Sequence, residues 1–464
     1  MDEREKIQKQ QRIKLFITEV FMFVSVIFMV VFLTLIVTGY SFNLKKIGSE
    51  GELIERTGLV QISSVPTGAN INIDGGSPLL LRTNGSRALG VGEHEIVLAK
   101  DGYGEWKKTI EVTEGMMYRL NYPRLFSTTR EQEKLVSLQG LSSVAVSPSG
   151  NKALIVQSGK MYVMDLNSNK PVVNSFELVV DGKKIEKIES FEEMMWSDNG
   201  ERLLAKVNGE RLVIGIRNNT AVSFDTLTKD LKLKKIRFES EAGDKLIVLT
   251  EAGELEEVDI KAKKVSDVLL SKVADFDNEK DTVVYLTETE VRAYQIGSEN
   301  SYLVYEISGE TAHFVATEYY GEYVVGIEDA GKFIVFSGEN WPNENYMLEK
   351  VFEEEVRFSV AKLSKRGKGM VVAISGNEGQ ETVFDAEAMK LVRLEIGKEN
   401  GWIDEFLRYE VGEGGEVFAV DYDGLNKREL VKKDVDMKYG VYISGNNKWL
   451  YYFSGETLIR ERVS

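Results

Sequence analysis

The sequence predicts a mainly β protein with an N-terminal transmembrane helix, a small antiparallel β-sandwich and then a β-propeller. Three observations support this. A run of 21 residues without a charge occupies positions 20–40. Short alternating strands separated by glycine turns fill 58–122, which is the pattern of half-buried strands. From 128 to 464 a strand-and-turn pattern recurs in eight units, as in a propeller.

The composition limits the chemistry. The 464 residues are 43% hydrophobic and 28% charged, as in a globular protein. The net charge of −16 repels phosphate backbones, so nucleic acid is not an expected partner. There is no cysteine, and the two histidines, His94 and His313, lie far apart in sequence. We therefore predict no cofactor, no metal site and no catalytic residues.

The uncharged run 20–40 is long enough to span about 30 Å of hydrocarbon. A buried core helix is the first alternative, but such a helix has a polar face unless it is buried all round. A cleaved signal peptide is the second, but the run exceeds a typical h-region and no small-residue cleavage site follows it. We interpret it as a retained anchor after a tail at 1–19.

The flanks of this run predict its orientation. Five basic residues precede it, at Arg4, Lys6, Lys9, Arg12 and Lys14. The following linker, 41–57, mixes lysines and arginine with glutamates. Excess positive charge favours the cytoplasmic side. The tail is therefore predicted to be cytoplasmic and everything after residue 40 extracytoplasmic, in a single-pass membrane protein.

Between its turns, the segment 58–122 alternates apolar and polar residues with a period of two. The residues predicted to face inward are Val60, Ile62, Ile71, Ile73, Ile96, Leu98, Ile110 and Val112. Asp-Gly, Asn-Gly and Glu-Gly pairs mark the chain reversals, where glycine supplies positive φ. The segment therefore predicts a small antiparallel sandwich.

Four short motifs in this segment resemble the PEGA domain, which is named for a Pro-Glu-Gly-Ala turn. The matching residues are Pro66, Gly68, Ala69, Asp74, Gly75, Gly92, His94, Gly102 and Tyr103. Thr67 replaces the glutamate, and Thr83-Asn84 stands where Thr-Pro is common. The resemblance implies an extracytoplasmic, non-catalytic module of cell envelopes without a known ligand.

The matched residues are predicted to be structural. Pro66 presets φ and Gly68 tolerates the turn. His94 shares its parity with Ile96 and Leu98, so we expect a packed or hydrogen-bonded strand residue rather than a metal ligand. Tyr103 follows a glycine turn and is expected to pack.

The eight units of the C-terminal region begin about 37–50 residues apart, with roughly four strands each. They resemble degenerate WD-like propeller repeats of bacterial type, without the Gly-His and Trp-Asp marks. The units are 144–166, 194–216, 236–260, 273–296, 313–336, 358–384, 402–424 and 440–463. Eight blades are favoured and seven remain open, because the fourth and eighth units are short. Two stacked β-sandwiches are the alternative fold.

The last unit is long enough for only three strands, so its sheet would have an unpaired edge. The segment Glu133–Leu138 alternates and precedes the first unit. We predict that it supplies the missing outer strand of the last blade.

Several patterns suggest sites but have simpler explanations. Gly412–Glu416 and Asp421–Gly424 are predicted to be turns, the latter because it lacks the remaining ligands of a calcium loop. The charge runs Glu353–Glu355 and Lys365–Lys368 are predicted to be solvated loops. The tryptophans at blade-like positions are assigned to packing and are Trp196, Trp341, Trp402 and Trp449.

These features favour a membrane-anchored, non-enzymatic envelope protein. Its propeller would bind a protein or glycan partner, and its sandwich would act as a spacer. A propeller hydrolase or lyase acting on envelope polysaccharide is the alternative, since such enzymes use facing carboxylates about 5–10 Å apart. Convergent carboxyls of raised pKa would favour the enzyme, and a broad mixed-charge rim would favour binding.

Overall fold

The computed structural model describes residues 3–37, 40–42, 54–76, 81–239, 242–309, 312–343, 345–377, 379–395, 399–432 and 434–464. Its contacts divide the chain into two compact units, Met1–Leu125 and Phe126–Ser464.

The first unit begins with helix α1, Glu3–Val37. Within it, Lys14–Thr34 is long and apolar enough to cross a membrane, with a mean hydropathy of 2.6 and no buried side chain. This stretch begins and ends earlier than the predicted 20–40. Residues 38 and 39 lie outside the described part, and the helix extends well into the predicted tail.

Two sheets form the rest of the first unit. The first has the order β1-β2-β4, with β7 also paired to β2, and the second has the order β3-β5-β6. The strands are β1 Tyr40–Phe42, β2 Ile54–Ile62, β3 Asn70–Ile73, β4 Gly85–Gly90, β5 Gly92–Ala99, β6 Trp106–Val112 and β7 Met117–Leu120. The pairing of β2 with β7 is parallel, whereas every other strand pair in these sheets is antiparallel.

The alternation read from the sequence places the core of the sandwich. Seven of the eight predicted inward residues are buried, and Ile73 is half-buried. Trp106 is fully buried and meets the ring of Tyr122 edge-on, with centroids 5.9 Å apart. The predicted linker 41–57 contains part of β1 and the start of β2, so the sheet begins before residue 58.

The second unit is built from strand β8, Gln132–Ser137, and the strands that follow it. The first sheet contains β9 Leu141–Val146, β10 Lys152–Gln157, β11 Lys160–Asp165 and β12 Val173–Ser175. The second adds the short strands β13 Val179–Val180 and β14 Lys183–Lys184 to β15 Phe191–Trp196, β16 Arg202–Val207, β17 Glu210–Gly215 and β18 Thr220–Ser223. Helix α2, Phe224–Leu227, follows it.

The next three sheets have four strands each. The third contains β19 Leu233–Phe238, β20 Lys245–Thr250, β21 Leu255–Asp259 and β22 Lys264–Val265. The fourth contains β23 Asp275–Glu279, β24 Thr282–Leu286, β25 Glu290–Gln295 and β26 Ser301–Glu306. The fifth contains β27 Ala312–Tyr319, β28 Glu322–Asp329, β29 Lys332–Gly338 and β30 Glu349–Glu355.

The last three sheets complete the unit. The sixth contains β31 Val360–Arg366, β32 Val371–Gly376, β33 Glu381–Asp385 and β34 Lys390–Arg393. The seventh contains β35 Asn400–Trp402, β36 Leu407–Val411, β37 Val417–Asp421 and β38 Arg428–Val431. The eighth contains β39 Val441–Ile443, β40 Trp449–Ser454, β41 Thr457–Arg462 and β8. Short 3-10 turns occur at Gly367–Gly369 and Met437–Tyr439.

Each repeat unit read from the sequence coincides with one of these eight sheets. Within the described residues, apolar clusters span seven of the eight boundaries between neighbouring sheets, including the boundary between the eighth and the first. Sheets that share cores around a ring form a propeller, since a single four-stranded sheet cannot bury both faces. The predicted fold class is therefore confirmed.

The predicted ring closure is also confirmed. Strand β8 pairs antiparallel with β41, with Val136 opposite Leu458 and Ser137 opposite Thr457. The first strand of the unit thus completes the last sheet and protects an edge that would otherwise be open.

The prediction that the two charge runs form loops is wrong for Glu353–Glu355 and for Lys365 and Arg366, whereas Lys368 lies in an exposed turn. Glu353–Glu355 belongs to β30, the outer strand of the fifth sheet, where Lys332 and Lys350 lower the pKa of Glu353 to about 2. Lys365 and Arg366 belong to the inner strand β31. Charges are tolerated in an outer strand because one of its edges is solvated. In the inner strand, the carboxylate of Glu279 pairs with Lys365.

Gly412–Glu416 and Asp421–Gly424 form turns, as predicted. Gly412 and Glu416 close the β36–β37 hairpin through a 2.8 Å backbone hydrogen bond. The N–H of Gly424 donates to the carbonyl oxygen of Asp421 at the end of β37.

Candidate functional site

The nine motif residues of the sandwich lie in or beside its turns. The φ angles of Gly68, Gly75, Gly92 and Gly102 are 79°, 69°, 129° and 81°. Ala69 is fully buried, and its N–H donates to the Thr83 hydroxyl at 3.0 Å. The carbonyl oxygen of Pro66 accepts a hydrogen bond from Ser64. The Lys100 ammonium lies 5.8 Å from the ring centroid of Tyr103.

The remaining pair, His94 and Asp74, is in direct contact. Nδ1 of His94 lies 2.7 Å from Oδ2 of Asp74, and its Nε2 lies 2.8 Å from the carbonyl oxygen of Gly90. Oδ1 of Asp74 accepts the backbone N–H of Glu95 at 2.9 Å. These contacts fix the turn at Asp74 to β5, so the geometry is that of a structural clasp. Within the described residues, no group of His, Asp and Glu side chains has the arrangement of a metal site.

The inner strands of the propeller carry ion pairs between neighbouring sheets. Lys235 of β19 pairs with Asp275 of β23 at 2.7 Å, and Arg237 pairs with Asp277 at 3.7 Å. Oδ2 of Asp277 also accepts the N–H of Ala316 in β27 at 3.0 Å. Inner strands line the central channel of a propeller. Opposite charges therefore join the third and fourth sheets beside the channel, and a hydrogen bond from the backbone of β27 joins the fourth sheet to the fifth.

Lys365 reaches further than these pairs. It lies in the sixth sheet, yet its Nζ donates to Glu279 of the fourth sheet at 2.5 Å and to the carbonyl oxygen of Asn278 at 3.2 Å. Burial acts to lower the pKa of Lys365, but the carboxylates of Asp277 and Glu279 outweigh it and raise the pKa. The side chain stays protonated and links two sheets that are not neighbours.

Further charges lie where the inner strands end. Each of these charges lies near the end of the innermost strand of its sheet or in the turn that follows it, so all of them lie on the same face of the propeller. We define the channel mouth by Asp198, Lys280, Glu318, Lys365, Lys368 and Glu405. Lys280 pairs with Glu318 at 2.6 Å. Burial and the carboxylate of Asp404 raise the pKa of Glu405.

Asp198 acts electrostatically on two other charges of the channel mouth. Its carboxylate contributes to the raised pKa of Lys365 in the sixth sheet and of Glu405 in the loop after β35. The turn that carries Lys368 is held between neighbouring sheets, because a Cβ at Gly367 would overlap Phe406 and one at Gly369 would overlap Thr317. The mouth is therefore a rim of both charge signs drawn from five sheets.

Sequence reasoning missed a polar cluster between the sixth and seventh sheets. The guanidinium of Arg408 is buried and pairs with Glu381 at 2.9 Å. Nε1 of Trp402 donates to Glu381 at 3.1 Å, and Arg366 lies 4.9 Å from the Trp402 ring centroid. Trp402 thus contacts ions, whereas Trp196 and Trp341 pack against apolar clusters as predicted. Trp449 does both, because it packs against an apolar cluster and the Arg460 guanidinium lies 3.9 Å from its ring centroid.

A cavity of about 360 Å³ opens beside the sixth sheet. Its lining includes Arg357, Phe358, Gln380, Leu391 and Arg393. Within the described part of the chain, the carboxyls with a raised pKa do not line this cavity. They are Glu239, Glu256, Glu328 and Glu405. The charged neighbours that perturb these four carboxyls differ from one to the next. Carboxyls of raised pKa therefore do not converge on this cavity.

Comparison with known proteins identifies the smaller module. Residues 57–124 match the PEGA domain model, which confirms the resemblance read from the motifs. No curated protein matches the chain.

Solved propellers resemble the chain at low identity. The C-terminal WD40 domain of Sif2 is 11% identical with a TM-score of 0.44, and the match covers 72% of this chain and 98% of that one. The Dos1 propeller is 13% identical with a TM-score of 0.39, covering 72% and 94%. The computationally designed Ika8 protein is 13% identical with a TM-score of 0.42, covering 72% and 100%.

Proposed function

We propose that this protein is a membrane-anchored, non-enzymatic envelope protein whose propeller binds a partner on the extracytoplasmic side. Helix α1 is the anchor, with the basic N-terminal residues in the cytoplasm. The PEGA domain is a spacer between the membrane and the propeller. The partner is a protein or a glycan fixed in the envelope.

The channel mouth carries this proposal. It presents both charge signs from five sheets on one face, as a recognition surface does when complementary charges select a partner. Tyr320 lies in the turn between β27 and β28 on the same face and is 58% exposed. Exposed tyrosines are typical anchors of protein interfaces. These features favour a protein segment over a glycan as the occupant.

The hydrolase or lyase remains the second candidate by fold alone. A glycosidase needs two carboxyls that face each other across the substrate, one of them with a raised pKa. Glu239 has a raised pKa through burial and the nearby carboxylate of Glu257, but it is 9% exposed. A carboxyl so covered does not present itself to a polysaccharide. The mixed rim supports binding more strongly than catalysis.

The short chain segment between the two units supports the spacer role. Residues 123–129 are few and contain one proline and no Gly-Ser tract, so they do not form a long flexible tether. Replacing His94 or Asp74 should leave partner binding intact. Replacing the whole module by a flexible linker should weaken it. If the point changes abolish binding while circular dichroism stays native, the module is itself a recognition site.

Photo-crosslinking in intact cells tests the proposed surface. p-Benzoylphenylalanine at Tyr320 places a reactive ring at the channel mouth. The matched control is the same residue at Glu288, which is exposed in the β24–β25 turn on the opposite face. We expect adducts from position 320 alone, and their loss in the D198K/E405K double variant. Protease digestion of the adduct distinguishes a protein from a glycan.

Equal adducts from both positions, or adducts from position 288 alone, would refute the channel mouth as the binding surface. Adducts that survive D198K/E405K would refute its recognition by charge.

A further inference from the structure

We propose that one end of the PEGA domain rests on the bilayer surface through exposed apolar side chains. The apolar tip consists of Leu59, Val91, Met116 and Met117, whose exposed fractions are 38%, 54%, 51% and 38%. This inference rests on the proposed membrane anchor, and the experiment below separates the failure of one from the failure of the other.

Both connections that form the tip meet the start of β2. Val91 alone joins β4 to β5, and its N–H donates to the carbonyl oxygen of Arg56 at 3.1 Å. The turn between β6 and β7 ends at Met116, whose carbonyl oxygen accepts the N–H of Leu59 at 2.9 Å. Val91 and Met116 therefore project from the same end of the sandwich.

Leu59 and Met117 extend the tip onto the outer face of the first sheet. They are register partners in the parallel β2–β7 pair, so their side chains point to the same side. The next residue of β2, Val60, points into the core and is fully buried. The two outward residues thus continue the apolar surface of the turns.

Adjacent exposed apolar side chains require an explanation that scattered ones do not. Gly58 also brings the tip turn close to β2, because a Cβ there would lie 2.7 Å from the carbonyl oxygen of Thr113. The turn is therefore held against β2 in the position that exposes Met116.

The chain itself places this end of the sandwich beside the membrane. Tyr40, the first residue of β1, follows Val37, the last residue of α1, by three positions, which limits their separation to about 11 Å. Tyr40 is the register partner of Arg56 at about 5 Å between Cα atoms. The headgroup layer is about 5–8 Å thick on each side of the hydrocarbon. An α1 that spans the bilayer thus leaves the tip within reach of the interface.

The charges around the tip favour apolar insertion over attraction to anionic lipid. Glu93 and Glu111 are exposed and directly opposite each other on β5 and β6. Arg56, an exposed cation near the start of β2, is already paired with Glu114 at 2.7 Å. Anionic headgroups would meet more negative than positive charge here. The fitting occupant is the neutral lipid interface, not an acidic or basic protein surface.

Site-directed spin labelling of the full chain tests the inference, since the protein has no native cysteine. Nitroxides are attached to V91C and M116C in phosphatidylcholine vesicles. The control is D101C, in the exposed turn that follows the other end of β5, about 26 Å away for eight strand residues. V26C, within the apolar part of α1, reports the anchor. Circular dichroism checks that each variant folds.

We expect labels at 91 and 116 to be relaxed by oxygen and shielded from aqueous nickel, with the label at 101 showing the reverse. A lipid-exposed label at 26 together with aqueous labels at 91 and 116 would overturn the docking and leave the anchor standing. An aqueous label at 26 would overturn both. Lipid exposure at 101 equal to that at 91 would overturn the assignment of the contact to the tip.

Discussion

Nδ1 of His94 lies 2.7 Å from the carboxylate of Asp74. Partial burial acts to lower the pKa of His94, but its bonds to Asp74 and Gly90 outweigh this and raise the pKa above 6.5. The bond to His94 lowers the pKa of Asp74 below 3.8. Both ring nitrogens face acceptors, so the protonated imidazole fits the clasp best.

The pH dependence of the clasp follows from these directions. The contribution of His94 to stability is complete below pH 6.5 and is lost as pH rises through its raised folded pKa. The contribution of Asp74 to stability is present above pH 3.8 and is lost as pH falls through its lowered folded pKa. The clasp therefore stabilises the sandwich most between these values. Asp74 is half exposed, so we expect less than about 1 kcal/mol.

Ring-labelled histidine gives at most two NMR titrations in this chain, from His94 and His313. The signal lost in H94Q should titrate above 6.5, and D74N should shift its midpoint downward. A midpoint unchanged by D74N would contradict the clasp.

The second prediction concerns ring closure. Ser137 of β8 and Thr457 of β41 are register partners, so cysteines at both positions should form a disulfide in a chain that has no other cysteine. A bridge across so long a loop is expected to contribute about 2–4 kcal/mol, or about 4–8 °C in the melting temperature of the propeller. Calorimetry of the oxidised and reduced forms measures the difference, with S137C alone as the control. A failure to form the bridge would show that β8 pairs elsewhere in solution.

The sequence contained enough to predict the sandwich core and the ring closure because both depend on local alternation. Val60, Ile62, Ile96 and Leu98 alternate with polar residues within single strands, and burial follows directly. Strand β8 was recognisable because the last repeat lacked a strand. In these cases the signal lies within a few consecutive residues.

The channel mouth and the Trp402 cluster could not be predicted in this way. Lys365 and Glu279 are 86 residues apart, and Arg408 and Glu381 are 27 residues apart. A contact between sheets depends on how the sheets pack, and a single sequence has no local pattern that reports it. The run Lys365–Lys368 was interpreted as a solvated loop for the same reason, since its counter-charges lie on other sheets.

The third prediction concerns the buried pair between the sixth and seventh sheets. Arg408 is 1% exposed, so E381A would leave a buried guanidinium without its carboxylate. We expect a loss of about 3–5 kcal/mol in the free energy of unfolding of the propeller. E381Q keeps an acceptor for Trp402 and should cost less. Urea unfolding measures both variants.

Glu353 provides the matched control for this experiment. It pairs with two lysines, Lys332 and Lys350, each at 2.8 Å, but all three side chains are exposed. E353A should leave the urea midpoint unchanged, because solvent screens an exposed pair. Equal destabilisation by E353A and E381A would contradict the role assigned to burial.

The fourth prediction concerns topology. A cysteine at Gly150 would be a poor reporter, because φ there is 64° and a Cβ would lie 2.5 Å from the carbonyl oxygen of Ile443. Lys170 is exposed in the loop after β11 and accepts substitution. K170C should react with an impermeant maleimide on intact cells, whereas K9C in the basic tail should react only after lysis. The reverse pattern would place the N-terminus outside.

The last prediction compares two lysine–glutamate pairs at the channel mouth. Lys365–Glu279 and Lys280–Glu318 have similar N–O distances, 2.5 and 2.6 Å, but the lysine side chains are 34% and 55% exposed. Lys365 also donates to the carbonyl oxygen of Asn278 and joins two sheets separated by a third. Its pair is therefore less screened and less free to separate than the other.

Double-mutant cycles with alanine at each position measure the two couplings by urea unfolding. We expect about 1–2 kcal/mol for Lys365–Glu279 and less than about 1 kcal/mol for Lys280–Glu318. If the channel mouth binds the partner through its exposed charges, K280A should also reduce crosslinking from position 320 while changing stability little. Equal coupling energies would mean that the channel screens Lys365 as fully as bulk solvent screens Lys280, and the cross-channel link would then hold the ring no more strongly than an exposed pair does.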